Sequence, residues 1–344
     1  MEVNIITSKL KNTIIFLSLF FCFATFFVNS KAMTENIIST MLFCFNKLIP
    51  SIFPSMITAS IFACYYSSKN NKQQKKFLGI DKQYFSIIVP AWISGFLIGP
   101  KILSKNASQS DITDYVIITS NAGIGFVASL VGITLWNNIF FGLYLYGIQI
   151  ALSIALFNLT KKNHTKTLEM NFTHKPALTV ITDSISQSTK TMLDICGFTV
   201  FFSVVRFSIF ALIKVKENSV FYIIISSLLE ISNGVLISST NANNSLAGFF
   251  TGFCIGFGGI CIITQTLSMC ENKICASKFF IVKFIQGIIC GIFSLLYVKI
   301  FSLCATNSVF TSLSYDTGIN SIIINCIFIF LLLNYIKKSI FKHI

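Results

Sequence analysis

The sequence predicts an all-α polytopic membrane protein, an inverted-topology repeat with two re-entrant or discontinuous helical elements and about eight full spans. Three observations support this prediction: the composition, the placement of the lysines and two glycine-interrupted apolar segments. Of the 344 residues, 54% are hydrophobic and only 11% are charged, and the mean hydropathy is +0.76. Because soluble proteins carry about 25% charged residues, we expect this chain to lie in a lipid bilayer.

The net charge of +14 comes mostly from lysines in short loops between apolar runs. That distribution is typical of the positive-inside rule and not of nucleic-acid binding. The 11 cysteines are scattered singly without a CxxC pair, and the three histidines lie in basic loops. We therefore expect no metal site, no cofactor, no disulfide framework and no nucleic-acid partner.

The chain begins with a basic stretch and an apolar run over residues 12–28. This run is either a cleaved signal peptide or, as we favour, an uncleaved helix within an N-terminal segment 1–33. In the following stretch, 34–66, we expect Pro50 and Pro54 to separate a partly embedded helix from a crossing, because each proline lacks a backbone donor.

The remaining pattern divides the chain into two similar halves with both termini cytoplasmic. Each half is expected to hold an interrupted entry element with a crossing, a crossing with a polar centre, a glycine-broken element and a closing span. The five expected parts are an N-terminal transmembrane helix (1–33), a first membrane repeat (34–160), a cytoplasmic basic loop (161–176), a second membrane repeat (177–303), and a C-terminal transmembrane helix with a basic tail (304–344).

Two apolar segments, 112–136 and 246–270, are interrupted by glycines. Broken backbone at membrane depth is tolerated only where protein buries it or where it lines a water-filled cavity. An alternative for the second segment is ordinary helix packing through its small residues at intervals of four. The expected helix-break residues of the chain are Gly123, Gly125, Gly256, Gly258, Gly259, Pro50 and Pro54.

A count of membrane crossings favours the re-entrant form of both segments. Residues 84–100, 137–159 and 220–239 are each interpreted as one crossing. This places 101–111 outside and 240–245 inside. The basic stretch at 160–175 is placed inside by its lysines, and the count of crossings places 271–278 inside as well. An odd number of crossings separates 101–111 from 160–175 and 137–159 supplies one of them, so an even number remains for 112–136. The same holds for 246–270, which has an inside stretch at each end.

Polar side chains within these apolar segments are the candidates for a solute path. A carboxylate inside a span usually faces a cavity or a partner, so Glu230 is the first of them. The full set of path candidates is Glu230, Asn233, Asn121, Gln265 and Ser94. The alternatives are a structural ion pair between Glu230 and Arg206, and interhelical hydrogen bonding by the amide side chains.

The order of several short motifs resembles one family over about residues 36–300. The motifs are Leu48 to Pro54, Ile93 to Phe96 with Gly99 and Lys101, Asn121 to Gly123, Gly197-Phe198 with Phe202 to Val204, Leu229 to Ile231 with Gly234, and Gly258-Gly259 with Gln265 and Ser268. In this order they resemble the YlbJ-type sporulation integral membrane proteins of the Gate, or nucleoside-recognition, superfamily. Leu97 and Ile124 stand where that family has prolines.

The resemblance implies a role in endospore formation at a bacterial forespore or mother-cell membrane. It implies movement of a small polar solute across that membrane, with a non-transporting scaffold for building the spore envelope as the alternative. The expected partners are the bilayer, the solute and a second copy of the chain. We expect no enzyme, because the chain lacks GxSxG, HExxH and phosphate-loop motifs.

Overall fold

The architecture is that of a computed structural model, which describes residues 27, 29–67, 76–77, 80–81, 84–107, 111–161, 176–213, 219–241, 244–270 and 273–303. Almost all of these residues are helical. The α-helices are α1 (Ser30–Phe43), α2 (Ile49–Ser67), α3 (Phe85–Ser94), α4 (Ile98–Asn106), α5 (Thr113–Thr119), α6 (Ile139–Thr160), α7 (Ala177–Ile213), α8 (Val220–Leu229), α9 (Ile231–Asn241), α10 (Asn244–Phe257), α11 (Gly259–Cys270) and α12 (Ala276–Ile300). Two π-helices, π1 (Cys44–Leu48) and π2 (Gly125–Leu135), and a pair of antiparallel strands, β1 (Lys76–Phe77) and β2 (Ile80–Asp81), complete this part of the chain.

Five helical stretches of the described chain are long and apolar enough to cross a membrane. They are Ser30–Ala63, Ile139–Thr160, Ala177–Ala211, Ser245–Cys270 and Ala276–Ile300. The shortest has 22 residues and spans about 33 Å, which exceeds the roughly 30 Å of a bilayer's hydrocarbon core. The chain is therefore an all-α integral membrane protein, as predicted. The terminal helices expected at 12–28 and 319–336 lie outside the described residues.

The first stretch is continuous, so the prediction that Pro50 and Pro54 divide it is wrong. α1, π1 and α2 follow one another without a break, and Pro54 lies inside α2. The wide turn of π1 ends two residues before Pro50. The hydroxyls of Ser55 and Thr58 donate to the carbonyls of Ile52 (2.7 Å) and Pro54 (3.1 Å). Such local adjustments and hydroxyl groups make proline tolerable within a membrane helix.

Helices α3 and α4 form a helical hairpin, hairpin 1 (residues 85–106), and not the crossing expected for 84–100. A Cβ atom added to Gly99 would lie 2.9 Å from the Cβ of Ala91. Eight residues of straight helix would hold these positions about 12 Å apart. The chain reverses at Gly95, whose φ of +107° is a backbone conformation that favours glycine.

Both ends of hairpin 1 lie at the same end of the protein. The ring of Tyr84 is 4.8 Å from that of Tyr115. Lys273 donates from Nζ to the carbonyl of Ala107 (3.2 Å), and its own carbonyl accepts from the amide of Ile112 (2.9 Å). We call the end that holds these five residues face 1, and the opposite end face 2.

The segment 112–136 is discontinuous, as predicted, but it does not turn back. It consists of α5, a non-helical break and π2, which together we call broken helix 1. α6 lies antiparallel to it along its whole length. The ring of Tyr115 is 5.7 Å from that of Phe157 near face 1, and a Cβ added to Gly132 would lie 3.0 Å from the Cα of Gly142 near face 2.

The segment 246–270 is also discontinuous without turning back. It comprises α10 and α11, which together we call broken helix 2. α10 packs antiparallel on α12, so that a Cβ added to Gly248 would lie 2.8 Å from a methyl carbon of Val298. α11 then continues to face 1, where the Sγ of Cys270 lies 3.8 Å from the carbonyl oxygen of Pro100.

Helices α8 and α9 form a second hairpin, hairpin 2 (residues 220–241), where one crossing was expected for 220–239. A Cβ added to Gly234 would lie 2.8 Å from the Cα of Ser227, although seven residues of straight helix span about 10 Å. The chain reverses at Glu230, which has an extended backbone. Both arms point to face 2, where α7 ends and α10 begins.

The long first stretch and α7 run antiparallel to each other. Asn36 Nδ2 donates to Ser203 Oγ (2.7 Å), and the hydroxyls of Ser60 and Ser188 are 3.4 Å apart. α6 and α12 are also antiparallel, because Thr160 accepts a hydrogen bond from the N-terminal turn of α12 at face 1.

These placements correct the count of crossings. Residues 101–107 lie at face 1 together with Tyr84, although the count placed them across the membrane from it. The start of α10 lies at the opposite face from Lys273, although the count placed both on one side. In each half, the element that turns back is therefore the hairpin, one element earlier than predicted.

Candidate functional site

The turns of the two hairpins and the breaks of the two broken helices meet in the interior. A Cβ added to Gly95 would lie 3.1 Å from the backbone nitrogen of Gly123, and one added to Gly259 would lie 3.0 Å from the Cα of Glu230. Each hairpin turn therefore touches the break of the helix that follows it. The ring of Phe96, in hairpin 1, packs on the break of broken helix 2 and connects the two pairs.

A cavity of about 50 Å³, the central cavity, lies where these four elements meet. It has room for roughly four water molecules or a small polar group. The polar side chains that line it belong to Ser94, Thr199, Glu230, Ser232 and Gln265. Most of the remaining wall is apolar and comes from α2, π2 and α7 as well as from both hairpins.

Glu230 places a carboxylate at the turn of hairpin 2, beside the central cavity, with only 3% of its surface exposed. Its two oxygens accept hydrogen bonds from the amides of Ser232 (2.9 Å) and Asn233 (2.7 Å). These amides open α9, so the carboxylate satisfies donors that no helical carbonyl reaches. The prediction that Glu230 lies on a cavity agrees with this position.

Arg206 is buried on α7, and its guanidinium donates to Oδ1 of Asn36 (3.2 Å). Arg206 and Glu230 also attract each other electrostatically, so a structural pairing between them stays an alternative to a solute site. Arg206 helps to hold α7 against α1.

Gln265 and Ser94, two further candidates for the solute path, also line the central cavity. The Oε1 atom of Gln265 is buried without a hydrogen-bond partner among the described residues, while its Nε2 donates to the sulfur of Cys261 (3.3 Å). Ser94 donates to the carbonyl of Pro90 (2.8 Å). Asn233 does not line the cavity, and its side-chain nitrogen is buried without a partner among the described residues.

Asn121 lies in the break of broken helix 1 but outside the central cavity. It belongs to a buried group that we call the lysine cluster. Its members are Asn121, Gln149, Ser153, Lys283 and Gln286, which come from broken helix 1, α6 and α12.

The sequence analysis missed most of this cluster. Lys283 lies inside the apolar part of α12, five residues after Lys278, and a lysine within a span is a signal that a solute path or partner is near. Gln149 carries the same signal within α6. What the sequence does not show is that α6 and α12 meet at the break in broken helix 1.

The five predicted helix-break glycines divide into three that lie at a break and two that lie within a helix. Gly258 and Gly259 form a true break, with φ of +83° and +82°. Gly123 packs at the turn of hairpin 1, where an added Cβ would lie 2.9 Å from the carbonyl of Ile93. Gly125 and Gly256 lie within helical backbone and instead allow close packing on α2 and α12, respectively. For Gly256, the small-residue packing alternative is therefore correct.

One further charged pair lies at face 1, where Lys278 of α12 forms a salt bridge with Asp114 of α5. Lys278 also donates to the carbonyl of Thr160 (2.9 Å). Across the described ranges, no group of three or more histidine, cysteine, aspartate or glutamate side chains is placed to hold a metal ion.

The chain matches no protein-family model, no curated protein and no solved structure.

Proposed function

We propose that the chain is a transporter that moves a small polar solute through the central cavity. The observation that carries this proposal is the meeting of four interrupted elements around a cavity that holds a buried carboxylate. Discontinuous helices that meet at mid-membrane form the solute sites of many secondary transporters. Polar side chains and broken backbone in lipid usually face a solute path, because either one is costly elsewhere.

The proposed architecture is an inverted repeat. Each half holds a long crossing, a hairpin, a broken crossing and a closing crossing, and corresponding long helices run antiparallel. The two hairpins then enter from opposite faces and meet at the cavity. The six lengthwise elements, with the apolar segments at 12–28 and 319–336, would make the predicted eight spans.

Face 1 is proposed to be cytoplasmic. Lys101, Lys105, Lys273 and Lys278 lie at face 1, and Lys299 lies toward face 2. An excess of lysine marks the cytoplasmic side of a membrane protein. If the apolar segments 12–28 and 319–336 each cross once, this orientation would put both chain termini in the cytoplasm.

In the proposed cycle, Glu230 and Gln265 accept hydrogen bonds from the solute, and Ser94 lies across the cavity from hairpin 2. Opening at one hairpin would admit the solute from one face, and opening at the other would release it to the opposite face. Because the carboxylate already accepts hydrogen bonds from two backbone amides, a solute that binds Glu230 would weaken these bonds and loosen the turn of hairpin 2. Solute binding would thereby be coupled to the opening of hairpin 2.

The setting of this activity is proposed from the family resemblance alone. It is a spore-associated membrane of an endospore-forming bacterium, where a solute must pass between the mother cell and the forespore. The alternative, a scaffold that builds the spore envelope without transport, needs neither an open cavity nor a carboxylate at its centre.

The replacement Glu230→Gln tests the proposal. It keeps the size of the side chain but removes its charge, and a hydrogen bond to a charged group is worth about 1.5–3 kcal/mol. We expect at least a tenfold loss of solute uptake by reconstituted protein, with protein still made at a comparable level. Uptake would be measured in proteoliposomes against a panel of small polar solutes, and spore yield in cells.

Glu35→Gln is the matched control, because Glu35 is exposed on α1. It should leave uptake and spore yield unchanged. Normal uptake and normal spores with Glu230→Gln would disprove a solute site at Glu230. If the wild-type protein moves no solute while both variants support spores, the scaffold alternative is favoured.

A further inference from the structure

Lys283 is a lysine buried in the interior of the helix bundle, with 1% of its surface exposed. Its ammonium donates to Oε1 of Gln286 (2.9 Å) and Oδ1 of Asn121 (3.4 Å). The ring of Phe96 covers it from hairpin 1, with the ring centroid 5.7 Å from Nζ. The ammonium is therefore held by neutral oxygen atoms and an aromatic face.

No carboxylate partners Lys283 within the described part of the chain. The acid on the nearest part of broken helix 1, Asp114, is occupied by Lys278 at face 1. On its own helix, the thiol of Cys290 is a titratable group that interacts electrostatically with Lys283. The groups that broken helix 1 and α6 present are amides and a hydroxyl. An ammonium without a carboxylate partner is costly in a membrane interior, so such a residue usually has a function.

The lysine cluster ties this ammonium to the break in broken helix 1. Gln149 binds both backbone groups of Ala122, donating to its carbonyl (2.6 Å) and accepting from its amide (3.3 Å). Gln286 donates to Oδ1 of Asn121 (3.0 Å) and to the carbonyl of Gln149 (2.9 Å). The two side chains that accept from the ammonium are therefore held by hydrogen bonds to each other and to α6, and Asn121 itself lies in the break.

Transporters with discontinuous helices hold their coupling cations at such breaks, on carbonyl and side-chain oxygens. Neutral oxygens suit a monovalent cation, which needs no carboxylate to balance a second charge. In this chain, an ammonium that belongs to the protein already fills that position. The ring of Phe96 contacts both places, because it lines the central cavity and its centroid lies 5.7 Å from Nζ of Lys283.

We propose that Lys283 is a built-in cation that takes the place of a bound monovalent ion, so that solute movement does not require sodium. The part of this inference that concerns sodium-independent solute movement rests on the proposed transport function. The cation site itself can be tested on protein in detergent, without a known solute.

The test compares the melting temperatures of purified wild type, Lys283→Ala and Lys283→Met in chloride salts of choline, sodium, potassium and methylammonium. Lys283→Ala leaves the oxygens in place and opens a space beside them. We expect small cations to raise its melting temperature by about 3 °C or more relative to choline, because a ligand that binds only the folded state stabilises it. Wild type should show no such difference.

Lys283→Met is the control that fills the same space without charge, and it should not respond to small cations. Lys105→Ala controls for the loss of an exposed lysine at face 1. Wild type that sodium stabilises over choline would overturn the proposal, as would a Lys283→Ala protein that responds no more than Lys105→Ala does.

If Lys283→Ala folds only when it is made and purified in methylammonium or sodium, the proposal is supported. If it folds in none of the salts, the wild-type comparison of sodium with choline decides the outcome. A cation response of Lys283→Ala, together with a wild type that moves no solute of the panel, would favour the scaffold alternative and leave the cation site intact. Uptake by wild type that requires sodium would overturn the inference and leave transport intact.

Discussion

Gln265 brings an unpaired carbonyl oxygen to the wall of the central cavity. A buried acceptor without a donor costs about 1–3 kcal/mol, so such groups are rare in native proteins. Gln149, in the lysine cluster, is the opposite case, because both ends of its side-chain amide are bound to Ala122. Gln265 therefore has an acceptor that a ligand can use, whereas the side chain of Gln149 stabilises the fold.

We predict that Gln265→Leu leaves the melting temperature unchanged or raises it, because it removes an unsatisfied buried oxygen. The same variant should lose solute uptake, because the cavity loses an acceptor. Gln149→Leu should instead destabilise the protein by about 2 kcal/mol or more, since it leaves two backbone groups of Ala122 unpaired. Melting curves in detergent together with uptake measure both effects. A large destabilisation by Gln265→Leu would contradict the ligand role of this residue.

At the scale of the elements, the break in broken helix 2 depends on two glycines with positive φ. We predict that Gly259→Ala destabilises the protein by about 1–3 kcal/mol, because a side chain is strained in this backbone conformation. Its added Cβ would also lie 3.0 Å from the carbonyl oxygen of Leu229, at the turn of hairpin 2. Both the melting temperature and uptake should fall.

Gly147→Ala is the matched control, because Gly147 lies within α6 and nothing lies within 4 Å of an added Cβ. This change should stabilise the protein by up to about 1 kcal/mol, the helix preference of alanine over glycine. Equal melting temperatures for the two variants would show that the break in broken helix 2 is not a specific feature of the fold.

The sequence predicted the two broken helices because glycines and polar residues interrupt long apolar runs there. It did not predict the two hairpins. The apolar content of residues 84–100 suits a single span as well as a hairpin arm, and Gly95 alone does not distinguish the two. What decides between them is packing with distant parts of the chain, such as Gly99 against Thr119 and Gly95 against Gly123.

The candidate site was also predicted only in part. Glu230, Gln265 and Ser94 were predicted from their polarity within apolar runs, and all three line the central cavity. Asn121 was assigned to the same path, but it belongs to the lysine cluster. Lys283 was overlooked because its role depends on contacts between segments more than 160 residues apart.

At the scale of the whole protein, the placement of each hairpin decides on which side the loops lie. When 84–100 was counted as a crossing, the lysines that follow it were placed outside. With hairpin 1 turning back, Lys101 and Lys105 join the other lysines of face 1. This agrees better with the positive-inside rule than the crossing count did.

The most direct test of this fold is the sidedness of single cysteines at three exposed positions: Lys105 near the end of hairpin 1, Lys190 on α7 close to Lys101, and Thr240 near the end of hairpin 2. They would be introduced into a protein whose native cysteines have been replaced, and labelled in sealed vesicles with a maleimide that cannot cross the membrane. We predict that residues 105 and 190 react from one side and residue 240 from the other. Residue 105 reacting from the side opposite to residue 190, or residue 240 from the same side, would contradict the two inward-turning hairpins.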